Sequence, residues 1–128
     1  MTAWLSDEWV DAVAGELAGL EGPSSLTGSV QVEVTGGPDG DRGVHAELDG
    51  GRLVALRPGP APSPDAVLTL TDADARAVVD GQLDPAVAFM QGRMKVAGDM
   101  AVVLDLLVLS GSEAARAGRA RVAGLTAG

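Results

Sequence analysis

The chain has 128 residues, 46% of them hydrophobic and 21% charged, a composition that excludes intrinsic disorder and suits one globular domain burying roughly 65 to 70% of its unfolded surface. It has no cysteine and a single histidine, His45, which excludes a disulfide framework, a thiolate zinc site, a cysteine nucleophile and clustered imidazole ligands. Nine basic against eighteen acidic residues give a net charge of −9, which repels nucleic-acid phosphates and anionic lipid surfaces.

Met1 to Leu5 offers neither a basic n-region nor a long apolar run, so no signal peptide is expected. Ser6 is placed to cap a first helix, with Asp7 and Glu8 at its positive end. Trp9, Val10, Val13, Leu17 and Leu20 then recur at helical spacing, and Glu21-Gly22-Pro23 stops the pattern. Val30, Val32 and Val34 alternate with polar residues over Ser29 to Thr35, and Val44, Ala46 and Leu48 repeat the alternation after the turn-rich Gly36 to Gly43. Asp49-Gly50-Gly51 marks a second tight turn, and Arg52 to Arg57 a third strand returning beside the second. Pro58, Pro60, Pro62 and Pro64 cannot donate to a sheet ladder, so this stretch reads as a crossing connection in extended form.

Ala66 to Thr71 is a fourth strand. Asp72 is expected to cap a short helix through Val79, and Asp84-Pro85 opens another that Gly92 ends. Arg93 to Ala97 forms a short fifth strand with Met94 and Val96 inward. Gly98-Asp99 caps the last helix, in which nine of the ten residues from Met100 to Leu109 are apolar, Asp105 being the exception. A helix apolar all round requires cover on nearly every side. The run is too short to cross a membrane, which takes about twenty residues, and a cytoplasmic location is expected. Residues 1–110 read as the domain and 111–128 as a polar, basic tail carrying Arg116, Arg119 and Arg121, frayed or weakly helical. The order of elements implies an α+β fold, a five-stranded mostly antiparallel sheet covered on one face by helices. Near-replacement of lysine by arginine, with Lys95 the sole lysine, points to a bacterial genome of strong codon bias.

No catalytic machinery emerges. The Gly36 to Asp41 loop lacks the spaced oxygen ligands of a calcium site, Asp72, Asp74 and Asp80 fit a solvated helix face, and His45 has the parity opposite to the apolar set with no nucleophile beside it. Neither enzyme activity, a cofactor nor a metal is expected. What remains is apolar surplus: Phe89, Met90, Met94 and Met100, then the apolar last helix.

Three segments carry a resemblance: Asp65-Ala66-Val67-Leu68-Thr69-Leu70-Thr71, Asp80-Gly81-Gln82-Leu83-Asp84-Pro85, and Ala88-Phe89-Met90-Gln91-Gly92-Arg93-Met94-Lys95-Val96-Ala97-Gly98-Asp99. They resemble the sterol carrier protein 2 domain family over residues 65 to 109. The resemblance implies an apolar tunnel for fatty acyl chains, acyl-CoA or sterols, walled in part by the helices at Asp84 to Gln91 and Asp99 to Leu109. The ligand-binding residues it implies are Val87, Phe89, Met90, Gln91, Met94, Met100, Val103, Leu104 and Leu107. Animal members often carry a glutamine in each of these helices, where this chain aligns Val87 and Leu104, a departure that removes a polar handle for a sterol hydroxyl. The chain ends Thr126-Ala127-Gly128, without a peroxisomal tripeptide.

The function expected is therefore binding or carriage of an apolar small molecule or lipid. Alternatives are an accessory domain whose apolar groove is filled by a protein partner or a second copy, as a homodimer, and, more weakly, an enzyme or enzyme subunit acting on a lipid-like intermediate. Little or no binding to anionic membranes is expected, because the first helix carries Asp7, Glu8, Asp11 and Glu16 and no basic residue.

Overall fold

A computed structural model describes residues 2–127. In chain order the elements are β1 (Thr2–Ala3), α1 (Asp7–Leu17), β2 (Gly28–Gly37), β3 (Gly40–Asp49), β4 (Arg52–Pro58), β5 (Ala66–Thr71), α2 (Asp72–Val79), α3 (Pro85–Met90), β6 (Lys95–Gly98), α4 (Met100–Ser110), α5 (Glu113–Leu125) and β7 (Thr126–Ala127). The central sheet has the order β4-β3-β2-β5-β6, antiparallel except where β2 runs parallel to β5. This is the α+β architecture expected.

Alternation and register together build the inner face of the sheet. Val30 stands opposite Ala46 on β3 and Ala66 on β5, Val32 opposite Val44 and Leu68, and Val34 opposite Leu70. These side chains meet Trp9, Val10 and Val13 of α1 and Val102, Val103 and Leu109 of α4 in one core. The other parity carries Gln31, Glu33, His45 and Glu47 to the outer face.

The parallel β2–β5 pair follows from the proline segment. A chain leaving the edge strand β4 must pass over β3 and β2 to reach the place of β5, and prolines that cannot pair hold it extended. The crossing lies on the outer face. Ala61 N–H donates to Gln31 Oε1 at 3.1 Å, His45 Nδ1 donates to the Gly59 carbonyl at 2.9 Å, and Gln31 Nε2 donates to Glu33 Oε1 at 2.7 Å. His45 and Gln31 are buried as a result.

Several boundaries differ from expectation. α1 ends at Leu17, and Leu20 packs on the core from the loop beyond; Gly19 has low helical preference. Thr71, not Asp72, caps α2, its Oγ1 accepting from Asp74 N–H at 3.2 Å. This frees the Asp72 carboxylate to accept from Trp4 Nε1 at 2.7 Å and Arg76 Nε at 2.9 Å.

The segment read as a tail beyond residue 110 contains a thirteen-residue helix, α5, capped by Ser112, whose Oγ accepts from Ala115 N–H at 3.1 Å. Its Ala115, Gly118 and Val122 are buried. Gly118 lets α5 come close to α1, since a Cβ there would stand 2.9 Å from Leu17 Cδ2. The last strand, β7, pairs in parallel with β1, and Trp9 Nε1 donates to Thr126 Oγ1 at 2.8 Å.

Candidate functional site

The α3–α4 region is assembled from short-range signals. Asp84 caps α3, its Oδ1 accepting from Ala86 N–H at 2.9 Å with Pro85 in the first turn, and Asp99 caps α4 by accepting from Ala101 N–H at 2.9 Å. Between them Gly98, at φ 100°, closes β6 against β5: a Cβ there would lie 2.3 Å from the Asp65 carbonyl oxygen. No side chain fits. The Asp99 N–H donates to that same carbonyl at 2.8 Å, which anchors the start of α4 to the sheet. Midway along α4 Asp105 accepts from Ser25 Oγ at 2.6 Å, and near its far end Leu109 packs over Gly22. The one charge in the apolar run therefore holds α4 to the loop preceding β2.

The nine residues expected to bind ligand divide into three sets. Met94 and Val103 are buried in the core, and Phe89 and Leu107 are half-buried against it. Val87, Met90, Met100 and Leu104 point outward and are exposed, Met90 at 82%. Gln91 is exposed at the end of α3, 3.5 Å from Arg93. The first four form an apolar wall between the helices and the sheet, and the outward four form a separate surface that the sequence reading does not distinguish. Val87 and Leu104, the two positions at which the resemblance implies a missing polar handle, belong to the outward set. The apolar run calls for full cover of α4; Met100, Leu104 and Val108 instead stand 42, 51 and 65% exposed.

Two clefts lie elsewhere, around Trp4, and contain none of the nine. One of about 160 Å³ is bordered by Trp4, Leu5, Pro38, Arg42, Asp72 and Arg76. The other, about 140 Å³, lies between Trp4, Arg76, Val79, Asp80, Ala123 and Thr126. Arg76 stands over the Trp4 ring at 4.8 Å, and the Trp4 and Trp9 rings meet edge to face at 4.9 Å. The sequence reading misses this cluster, because it joins residues far apart in the chain.

Two ion pairs lie beside α3, Arg93–Asp74 and Arg116–Asp84. Arg93 Nη2 lies 2.7 Å from Asp74 Oδ1, and this hydrogen bond holds the Asp74 carboxyl below its ordinary value and raises Arg93. Among the described residues no group of three or more His, Asp or Glu side chains has the spacing of a metal site, and no helix is long and apolar enough to cross a membrane.

Residues 14–109 match the model of the SCP-2 sterol transfer family. Among solved structures, sterol carrier protein 2 superposes with a TM-score of 0.71 at 22% identity, over 96% of this chain and 98% of that one. A conserved hypothetical protein of Thermus thermophilus gives a TM-score of 0.75 at 19% identity, over 94% of this chain and 90% of that one. Palmitated sterol carrier protein 2-like 2 from Aedes aegypti gives 0.67 at 18% identity, over 83 and 94%. These likenesses establish the fold. Stomatin-like protein 1 of Mus musculus is 46% identical over 43 residues, which is 34% of this chain and 11% of that protein.

Proposed function

The chain belongs to the SCP-2 sterol transfer family, and from that premise we propose that it is a non-catalytic binder or carrier of an apolar ligand, a fatty acyl, acyl-CoA or sterol-like lipid. The observation that carries the reading is that the family match runs through α3, the turn after it and α4, whose inward side chains, Phe89 on α3, Met94 in the turn, and Val103 and Leu107 on α4, are all apolar. A ligand seated there lies between the two helices and the inner face of the sheet, and admitting it requires α4 to lift from that face. Met94 suits such a site, because an unbranched thioether adapts to irregular apolar shapes. A wall of this kind selects length and bulk rather than a polar group.

Burying about ten methylenes at about 0.8 kcal/mol each supplies roughly 8 kcal/mol before the cost of association. The expected affinity is micromolar or weaker, which suits a carrier that must release. Native mass spectrometry of the protein purified from cells tests the reading: adducts of lipid mass on the folded chain support it. Their absence, together with no uptake of added palmitate, rejects it; palmitate is chosen because one similar structure is described as palmitated.

A further inference from the structure

Among the described residues, six large hydrophobic side chains stand exposed, and five of them, Val87, Met90, Met100, Leu104 and Val108, lie on α3 and α4. Met100, Leu104 and Val108 recur every fourth residue and so form one stripe along the outer side of α4. Val87 and Met90, three apart on α3, extend it, since the two helices are in contact. The inner side of α4 is also apolar, with Val102, Val103 and Leu109 buried. A helix apolar on both sides is a helix covered on both sides.

We propose that this outer face is the interface of a twofold dimer, in which α4 packs antiparallel against α4 of a second copy. A twofold contact sets a surface patch against itself, so any charge on the axis would meet its like. The stripe has none: although the chain carries a net charge of −9, the single charged residue within α4, Asp105, is turned to Ser25. With Leu104 on the axis, the regular spacing brings Met100 of each copy to Val108 of the other.

The ends also complement one another. Exposed Asp99 at the start of one α4 comes beside the end of the other, where Arg119 Nη1 donates to the Ser110 carbonyl at 2.8 Å. The patch exposes roughly 400 Å² of apolar surface, the scale at which such patches mark contacts. Doubled by symmetry this is about 800 Å² of apolar surface, and because roughly two thirds of a homodimer interface is apolar, the total comes to about 1,200 Å², where specific interfaces begin. A bilayer fits less well, because helices that lie on membranes carry flanking Lys or Arg and α4 has neither.

Sedimentation equilibrium of the full chain across the micromolar range, at physiological salt, tests the proposal. The native sequence is expected to dimerise. Leu104→Glu sets two carboxylates facing each other on the axis and is expected to raise the dissociation constant at least about a hundredfold. Val54→Glu, exposed at 65% outside the patch, should leave the dimer intact. Because the chain has no cysteine, Leu104→Cys supplies a second readout: mild oxidation should give a disulfide-linked dimer, and Val54→Cys should not. A native chain that is monomeric throughout overturns the proposal, as does a dimer that Leu104→Glu leaves unchanged. Binding of a monomer to phosphatidylcholine vesicles, abolished by Leu104→Glu, assigns the face to a bilayer and overturns it as well.

Discussion

Gly98 is where one atom decides the most. At φ 100° it occupies backbone space open almost only to glycine, and an added Cβ meets the backbone at Asp65 and Ala66 rather than a side chain that could swing aside. Gly98→Ala is expected to destabilise the fold by more than about 2 kcal/mol, measured by urea denaturation. An effect under half that would show that β6 can shift away from β5. The Asp74–Arg93 pair makes a different claim. Because Arg93 lowers the folded-state pKa of Asp74, the pair stabilises above the unfolded carboxyl's pKa and loses that contribution as pH falls through the folded value. Melting temperatures taken below pH 4 should therefore decline less steeply for Asp74→Asn than for the native chain; equal slopes would contradict the assignment. Caps are the residues most legible in sequence, because a cap is a local hydrogen bond: Ser6, Asp84 and Asp99 all act as expected. Asp72 is the exception because Thr71 and Asp72 compete for one role, and the winner depends on Trp4, sixty-eight positions away.

At the scale of elements, the strands and the proline crossing are readable because period-two alternation and the missing proline N–H are properties of the segment itself. What cannot be read is that the crossing rests on the outer face and buries His45 and Gln31, a consequence of strand order. Gln31→Leu removes the acceptor of the buried Ala61 N–H, so a cost of about 1 to 3 kcal/mol is expected; an unchanged melting temperature would mean that the crossing holds without it. α5 escapes the sequence reading for another reason. Its buried side is made of Ala115, Gly118 and Val122, too small to produce an apolar period, and its one local signal is Ser112 as a cap. Truncation after Ser110 uncovers Trp9 and Leu17 and removes Val122 from the core, so a loss of about 3 kcal/mol or more is expected. A truncated chain as stable as the whole would show that α5 is an appendage.

The whole molecule reads as an acidic α+β domain with an apolar helix pair on one flank. Its arginines beyond residue 110 are engaged: Arg116 lies 3.8 Å from Asp84, Arg119 holds Ser110, and Arg121 lies 2.6 Å from Glu16 on α1. They are anchored rather than carried on a loose tail, and α1 has no basic residue. The protein is therefore expected to stay in the supernatant with anionic vesicles at physiological salt, since each basic residue near such a surface would contribute about 1 kcal/mol and α1 offers none. Salt-sensitive co-sedimentation would contradict this. The family is legible from sequence because its motifs lie in contiguous segments, Asp65 to Thr71 and Ala88 to Asp99. The division of the nine residues between the inner wall and the outer stripe is not, because helical spacing in an all-apolar run does not say which side meets the sheet. Titration of the purified chain with a fluorescent fatty acid, followed by displacement with palmitate, tests the carrier reading most directly. Saturable one-to-one binding with a micromolar dissociation constant, weakened when Leu107→Trp crowds the inner wall of a still-folded protein, is the predicted result. A folded chain that shows no saturable binding, or whose binding is indifferent to Leu107→Trp and lost instead with Met90→Ser on the outer face, would contradict it.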